Sequence, residues 1–212
     1  MKILVLGGTG AMGTYLVDIL SQRGHHVTVT SRSRAGVTTH VRYLKGDAHE
    51  ASFLDPLLAN GQWSAIIDFM VYSTPEFKKR AQALLSATRQ YVFLSSSRVY
   101  AQSSTPLTEE SPRLLDVSTD LAYLATDEYA LSKARQENIL FNSRHSNWTV
   151  IRPYITFSDE RLQLGVLEKE DWLFRALNDR TIVFSKDIND RLTTLTYGED
   201  VARGLAVALE VG

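Results

Sequence analysis

The sequence contains no cysteine, no marked excess of charge and no long uninterrupted apolar run. Without cysteine, the 212-residue chain forms no disulfide and uses no thiolate chemistry, which fits a reducing compartment. A formal net charge of −1 gives no reason to expect nucleic acid or an anionic membrane as partner. Gly7, Gly8 and Gly10 interrupt the first apolar run too early for a signal peptide or a membrane span. We therefore predict a cytoplasmic protein without membrane association.

The sequence also lacks the spacing of metal ligands. Its five histidines show no ligand-type spacing, and its acidic residues form no metal-site pattern. Hydrophobic residues make up 44% and charged residues 22% of the chain, as in an ordinary soluble globular protein. We expect no metal, and a length that suits one ample domain or a large domain with a small appendage.

Strand and helix patterns alternate along the chain, which predicts an α/β fold built on a doubly wound parallel sheet. We predict residues 1–155 as a dinucleotide-binding Rossmann domain and residues 156–212 as a smaller substrate-binding portion with a returning strand and helix. The predicted strands cover residues 3–6, 26–30, 41–44, 65–71, 91–94, 148–151, 181–184 and 192–197. One predicted helix follows the first strand and ends at Gly24. The others cover 51–58, 75–88, 127–142, a part of 162–177, and 198–209, and a polar loop covers 105–119.

A glycine-rich turn follows the first predicted strand and precedes the first predicted helix. Such a turn lets the backbone approach a pyrophosphate, whose charge lies at the helix N-terminus. The alternative is a tight strand-to-helix turn with no ligand. The pattern favours the nucleotide site, with these cofactor-binding candidates: Gly7, Thr9, Gly10, Ala11, Met12 and Gly13.

Arginines, and no carboxylate, follow the second predicted strand, at Ser31-Arg32-Ser33-Arg34. An acidic side chain there suits the free ribose hydroxyls of NAD, whereas a guanidinium suits a 2′-phosphate. The segment favours NADP over NAD, with Arg32 as the contact; the alternative is that both arginines are solvated loop residues. Asp47, after the third predicted strand, either accepts a hydrogen bond from an adenine amino group or caps the following helix.

Tyr129 and Lys133 lie four residues apart on a predicted helix and therefore share one face. A nearby positive charge lowers the pKa of a tyrosine, so this phenol could act as acid or base near neutral pH. The alternative is an ordinary solvated helix face, because the pattern also arises by chance. Hydroxyls at Ser95, Ser96 and Ser97 follow the fifth predicted strand, at the sheet edge where ligands bind. Their alternative role is to cap a serine-rich turn.

Together these segments resemble the extended short-chain dehydrogenase/reductase superfamily, in particular its NAD-dependent epimerase/dehydratase branch. The glycine turn is similar to the GxxGxxG loop of that branch, and Tyr129 to Lys133 with Glu137 is similar to its YxxSKxxxE helix. Four further segments carry the resemblance: Ser95 to Tyr100 (SS-(S/T)-x-VYG), residues 106–112 (P-x-TE-x-x-P), Ile151 to Pro153 (IRP) and Tyr197 to Ala202 (V-x-D-VA).

The resemblance implies roles for individual residues. Tyr129 would be the catalytic acid/base, Lys133 its activator and a ligand of the nicotinamide ribose, and Ser96 the group that polarises the substrate oxygen, with Ser97 as the alternative. It further implies cofactor contacts at Ala48, Phe69, Met70, Ser95, Tyr129, Lys133 and Pro153. The expected activity is that of an NAD(P)-dependent epimerase, dehydratase or reductase acting on a nucleotide-sugar. The superfamily often forms homodimers through the helix of Tyr129.

Three departures from the family pattern indicate an atypical subgroup. Asp68-Phe69-Met70-Val71 replaces the usual HLAA-like end of the fourth strand, and Ala101 replaces a glycine. The glycine-proline that usually follows the IRP segment is absent, with Phe157-Ser158-Asp159 in its place. Family members usually continue into a substrate-binding domain, so we expect this portion to be either truncated or minimal. The alternative function is an NAD(P)-binding regulator or scaffold without turnover.

Overall fold

The computed structural model describes residues 1–159, 161–164, 167–186 and 193–211. Its centre is a seven-stranded sheet with the order β3-β4-β2-β1-β5-β6-β7. All neighbouring strands are parallel except the short edge strand β3, which runs antiparallel to β4. The strands are β1 (Lys2–Leu6), β2 (His26–Ser31), β3 (Gly36–Val37), β4 (Val41–Lys45), β5 (Trp63–Asp68), β6 (Thr88–Leu94) and β7 (Trp148–Ile151).

Helices connect these strands and cover both faces of the sheet. The long helices are α1 (Gly13–Gln22), α2 (Ala51–Ala59), α3 (Thr74–Ser86) and α6 (Tyr129–Phe141). Between β6 and α6 the chain forms a 3-10 turn at Ser97–Val99 and two single-turn helices, α4 (Leu114–Val117) and α5 (Leu121–Leu124). The later elements are β8 (Ile155–Phe157), β9 (Gln163–Leu164), β10 (Leu167–Glu168), α7 (Lys169–Leu177), β11 (Leu195–Tyr197) and α8 (Gly198–Val211).

Two apolar clusters, one on each face of the sheet, form the core. Successive side chains of a strand point to opposite faces, so Ile3 and Val5 join the cluster beneath α1 and α8, whereas Leu4 and Leu6 join the cluster beneath α2, α3 and α6. A strand that is buried on both faces is expected at the centre of a parallel sheet. The predicted doubly wound α/β fold is therefore confirmed.

The strand order reverses at β1: the next strands of the chain are added on the side of β2, and the later ones on the side of β5. In open parallel sheets, ligands bind at the carboxyl ends of the strands near such a reversal. The glycine turn after β1, the arginine segment after β2, Asp47 after β4 and the serines after β6 all lie at this edge.

The region after β7 differs from the sequence predictions. No strand forms over 181–184; Val183 there is 76% exposed and has no neighbouring strand in the described part of the chain. The helix expected within 162–177 begins only at Lys169, because β9 and β10 pair before it and Glu168 with Asp171 caps it. Of the strand predicted over 192–197, residue 192 lies outside the described residues, and Leu195–Tyr197 pairs in parallel with β8.

Helix α8 returns to the body of the fold and packs against α1. Ala202, Leu205 and Leu209 belong to the same apolar cluster as α1 and β1. A β-carbon at Gly198 would come within 2.3 Å of the carbonyl oxygen of Ala11, so only glycine permits this approach. The residues after 197 thus brace the glycine turn, and the predicted division of the chain at residue 155 stays a prediction.

Candidate active site

A cleft of about 380 Å³ opens at the carboxyl ends of β1, β2, β4 and β5. Eight of the predicted cofactor-binding residues line it: Gly7, Thr9, Gly10, Arg32, Asp47, Ala48, Phe69 and Met70. Five further residues complete its wall: Thr30, Ser31, Gly46, His49 and Val71. The folded chain therefore brings segments from four strand ends to one cleft.

The glycine turn has the shape of an anion site. Gly7 adopts a φ of +68°, which strains any other residue, and β-carbons at Gly8 or Gly13 would collide with Val5 and with the backbone of Gly8, respectively. No side chain caps the N-terminus of α1, and no acidic residue lies in its first turn. Its free N–H groups and the helix dipole therefore fit a phosphate group of a bound dinucleotide.

The end of the cleft formed by β2 and β4 carries Arg32 and Asp47. The hydroxyl of Thr30 accepts a hydrogen bond from the Gly7 N–H at 3.0 Å, which ties β2 to the glycine turn. Asp47 accepts a hydrogen bond from the His49 N–H at 2.9 Å, so it caps the turn before α2 rather than the helix, whose N-cap is Glu50. The predicted capping of the helix by Asp47 is therefore wrong, and the contact with an adenine amino group stays a prediction.

A second cavity of about 410 Å³ shares Thr9 and Gly10 with the first and adds Ala11. Its far wall includes Tyr15, Asp159 and Arg161. The Tyr15 hydroxyl lies 3.2 Å from an Asp159 carboxylate oxygen and 3.0 Å from the hydroxyl of Tyr197. This cavity joins the glycine turn to the loop after β8, and it leaves room for a second ligand beside the cofactor cleft.

Ser96 and Tyr129 are close enough for the Ser96 hydroxyl to act on the Tyr129 phenol, as does Arg161 of the second cavity wall. Ser96 is buried and accepts a hydrogen bond from the Arg98 N–H at 3.2 Å. Tyr129 is the first residue of α6, directly after the N-cap Glu128. The Arg98 guanidinium lies 5.4 Å from the centre of the Tyr129 ring and pairs with Glu128 at 2.8 Å.

The expectation of a lowered pKa for Tyr129 is wrong for this structure. Burial raises the pKa of this phenol, and it outweighs the opposing effects of a hydrogen bond with Ser96 and of the charges on Arg98 and Arg161. Lys133 lies one turn further along α6, and its ammonium donates a hydrogen bond to the Leu94 carbonyl. Its charge therefore does not lower the pKa of Tyr129 as expected. The cations that favour the phenolate come from loops on either side of the helix.

The Lys133 ammonium is buried beneath the end of β6. Its Nζ donates a hydrogen bond to the Leu94 carbonyl at 2.7 Å and lies 4.6 Å from the centre of the Phe93 ring. Burial lowers the pKa of Lys133 to about 8, although the negative charges of Asp68 and Glu137 oppose the change. At neutral pH the side chain still carries its proton.

A buried carboxylate, Glu137, joins α6 to the neighbouring strands. It accepts two hydrogen bonds from Arg152 at 2.8 Å each, one from Arg113 at 3.0 Å and one from the Ser95 hydroxyl at 2.6 Å. Burial and paired cations make this an internal ion-pair network rather than a surface one. The Ser95 hydroxyl is therefore engaged in structure, and a cofactor contact by Ser95 stays a prediction.

The remaining predicted site residues lie at the same edge but outside the walls of the two described cavities. Met12 precedes α1, Gly13 begins it, and the Pro153 carbonyl accepts a hydrogen bond from the Ser97 N–H at 3.0 Å. Their roles, and those of Ser96, Tyr129 and Lys133, stay predictions.

Two residues near the predicted site, Asp68 and Arg161, have no role in the sequence prediction, although Asp68 begins one of the departures from the family pattern. Asp68 is fully buried at the end of β5, and its charge in an otherwise apolar strand was the available signal. Arg161 lines the second cavity, and nothing in the irregular sequence around it distinguishes it from a surface arginine.

The family model for the NAD-dependent epimerase/dehydratase family matches residues 3–212 of this chain. The chain belongs to this family. Among curated proteins it is 27% identical to the chloroplast stem-loop binding protein of 41 kDa b from Arabidopsis thaliana, over 95% of this chain and 53% of that protein. It is 28% identical to a UDP-glucose 4-epimerase from Lactobacillus helveticus, over 53% of this chain and 41% of that enzyme. The chain thus spans about half the length of the curated relatives it matches.

Solved structures share the fold. The Bordetella bronchiseptica enzyme WbmH, in complex with NAD⁺, superposes with a TM-score of 0.76 at 15% identity, covering 99% of this chain and 72% of that one. The UDP-glucuronic acid 4-epimerase of Bacillus cereus, in complex with NAD, gives a TM-score of 0.73 at 17% identity, over 99% and 73% of the two chains. At such identities the likeness concerns the fold alone.

The described residues contain neither a membrane-spanning helix nor a cluster of metal ligands. Across 1–159, 161–164, 167–186 and 193–211, no helix combines the length and the apolar character needed to cross a membrane. Within the same ranges, no three histidine or acidic side chains come together as metal ligands would.

Proposed function

We propose that this protein is an NAD(P)-dependent enzyme of the epimerase, dehydratase or reductase type that acts on a nucleotide-sugar or a similar hydroxyl or carbonyl substrate. The observation that carries the proposal is that Ser96 and Arg161, an arginine of the second cavity wall, both act on the buried Tyr129 phenol and lower its pKa against the effect of burial. Membership in the family supports the reaction class.

The chain's own residues would position the substrate and move one proton. A bound nicotinamide exchanges a hydride with a substrate carbon, which is the chemistry that the cofactor supplies. Tyr129 would take or return the proton at the substrate oxygen, while the Ser96 hydroxyl holds that oxygen by a hydrogen bond. Arg98 and Arg161 would stabilise the phenolate as it forms, because both charges lower the pKa of the buried phenol.

The experiment that tests this role replaces Tyr129 with phenylalanine. A panel of UDP-sugars is first screened with the unmodified protein, and Tyr129→Phe should then lower kcat/KM by about 10²–10⁴, the usual contribution of a general acid or base. Tyr123→Phe is the matched control, because its hydroxyl donates to Glu128 at 3.1 Å near the same helix end. Full turnover by Tyr129→Phe would refute the assignment.

For the cofactor we propose NADP in preference to NAD. Arg32 lines the cleft after β2, and no carboxylate follows that strand directly. Two solved relatives of the fold hold NAD, so the preference needs a direct test. Titration calorimetry should give a loss of about tenfold or more in NADP affinity for Arg32→Ala, with NAD affinity unchanged. Arg42→Ala, an exposed arginine of β4, should match the unmodified protein. Equal affinity for both cofactors would overturn the preference.

A second candidate function is that of a dinucleotide-binding protein without turnover. It is favoured by one observation: the relative that aligns over 95% of this chain is named for stem-loop binding and not for a reaction. Cofactor binding without turnover on any nucleotide-sugar, together with salt-dependent binding of a stem-loop RNA in fluorescence anisotropy, would support it. Turnover that depends on Tyr129 would exclude it.

The compartment and the assembly are also proposals. We propose a cytoplasmic protein, and a homodimer in which α6 of one copy packs against the other copy. Light scattering at the exit of a size-exclusion column tests the dimer, since a mass of about 24 kDa, near the 23.8 kDa of one chain, would contradict it.

A further inference from the structure

A buried cluster of one aspartate and two tyrosines lies at the end of β5. The Asp68 carboxylate accepts hydrogen bonds from three donor groups. The Tyr91 hydroxyl donates to it at 2.8 Å, the Tyr72 hydroxyl at 3.1 and 3.3 Å, and the Met70 N–H at 2.9 Å. The Asp68 side chain is fully buried. Because an ionised carboxylate only accepts hydrogen bonds, this set of three donors fits the charged form.

The two tyrosines remain donors over the whole working range of pH. Burial raises the pKa of both Tyr72 and Tyr91 well above the ordinary value, and the charge of Asp68 raises it further. Burial also raises the pKa of Asp68, but the three donors and the nearby Lys133 act against that change. The net effect is a raised pKa for Asp68, so the hydrogen bonds and the charge of Lys133 offset its burial only in part.

The cluster is joined to the helix that carries Tyr129 and Lys133. The backbone carbonyl of Tyr72 accepts a hydrogen bond from the Gln136 side-chain amide at 2.7 Å and one from the Ser132 hydroxyl at 3.3 Å. These two donors flank Lys133 on α6. The segment after β5 is thus hydrogen-bonded to the turn of α6 that holds the lysine.

The strand register brings Asp68 next to the place where the Lys133 ammonium lies. Asp68 pairs in the sheet with Phe93 of β6, and side chains of paired residues share one face of a parallel sheet. The Phe93 ring is the one over which the ammonium sits at 4.6 Å. A buried carboxylate and a buried ammonium therefore occupy the same face at the ends of adjacent strands.

We propose that Asp68, held by Tyr72 and Tyr91, is the counter-charge that keeps the Lys133 ammonium protonated in its buried position, and so is a positioning residue for the active site. The HLAA-like segment that is usual in the family has no carboxylate at this strand end. The pairing of Asp68 with Lys133 is therefore part of this chain's departure from the family pattern. The inference rests on the proposed role of Lys133, but its test requires no substrate.

Other charged groups near Lys133 do not replace Asp68 in this role. Glu137, one turn along α6, is shared between Arg113 and Arg152, which already neutralise it. On α3, the Arg80 guanidinium lies 4.6 Å from the centre of the Tyr72 ring. Arg80 lowers the pKa of Tyr72, whereas the charge of Asp68 raises the pKa of Lys133 more than that of Glu137 does.

The test is a titration of Lys133 followed by NMR. The ¹³Cε resonance of Lys133, assigned by its loss in Lys133→Arg, should titrate near pH 8 in the unmodified protein. In Asp68→Asn the midpoint should fall by about one pH unit or more, because an opposite charge is lost. In Tyr72→Phe, which keeps the carboxylate, the midpoint should not fall. An unchanged midpoint in Asp68→Asn would overturn the proposal.

A reciprocal measurement keeps the proposal testable if Asp68→Asn does not fold. Coupled sites shift each other, so Lys133→Met should raise the pKa of Asp68, followed through its ¹³Cγ resonance. An Asp68 titration that is the same in Lys133→Met and the unmodified protein would overturn the proposal. Neither titration uses turnover, so failure here is distinguishable from failure of the proposed enzymatic function, which would appear only in the Tyr129→Phe assay.

Discussion

Replacing Glu137 with glutamine removes the charge on which two largely buried arginines converge. The Glu137 side chain is fully buried, and those of Arg113 and Arg152 are 13% and 17% exposed. Breaking a buried ion pair from one side costs about 3–5 kcal/mol, because a charge is left uncompensated. Arg113 keeps Asp116 and Arg152 keeps the Tyr100 hydroxyl, so we expect the lower end, about 3 kcal/mol.

Urea unfolding measures this loss. With an m-value of about 3 kcal/mol per molar urea, the midpoint of Glu137→Gln should fall by about 1 M. Glu199→Gln is the matched control, because Glu199 pairs with Arg203 at 2.7 Å on the exposed face of α8. That substitution should cost no more than about 0.5 kcal/mol. If Glu137→Gln were as mild as Glu199→Gln, the network would not hold α6 to the sheet as described.

Two further predictions concern stability. Gly8→Ala should lower the free energy of unfolding by about 1–3 kcal/mol, because its β-carbon would lie 2.6 Å from a Val5 methyl. Gly204→Ala should raise it by about 0.5–1 kcal/mol, because Gly204 is exposed within α8 and a β-carbon there would meet nothing within 4 Å. Thermal melts compare the two variants. Lys133 should make the unfolding free energy of the unmodified protein rise between pH 8 and 10.5, since the folded state there binds fewer protons than the unfolded state. The pKa of Lys133 falls from 10.5 to about 8, so the rise is at most about 3–4 kcal/mol and should be absent in Lys133→Met; equal pH profiles would refute it.

Local signals were sufficient for the first half of the fold. An apolar run, glycines and an amphipathic stretch stand next to each other in β1, the glycine turn and α1, so the sequence predicts all three. Of the two- and three-residue strands after β7, the sequence predicted β11, within 192–197, but not β8, β9 or β10, because each exists only through a partner strand. β11 forms because β8 lies beside it, and nothing in the local residues 195–197 indicates that neighbour.

The sequence predicted that the candidate site residues lie at one edge of the sheet, but not their electrostatics. The sequence pattern predicted one helix for Tyr129 and Lys133, which is correct. Their spacing also suggested that the lysine lowers the pKa of the tyrosine, which is wrong. Spacing fixes the helix face but not the depth of burial, and burial controls the pKa of Tyr129. The cations that act on this phenol, Arg98 and Arg161, come from loops whose course depends on tertiary contacts.

The packing of α8 on the glycine turn has a consequence for the order of folding. Gly198 touches Ala11, and Leu205 and Leu209 complete the cluster that begins with Ile3. Contacts so distant in sequence close slowly, so the glycine turn reaches its final packing only after α8 has docked.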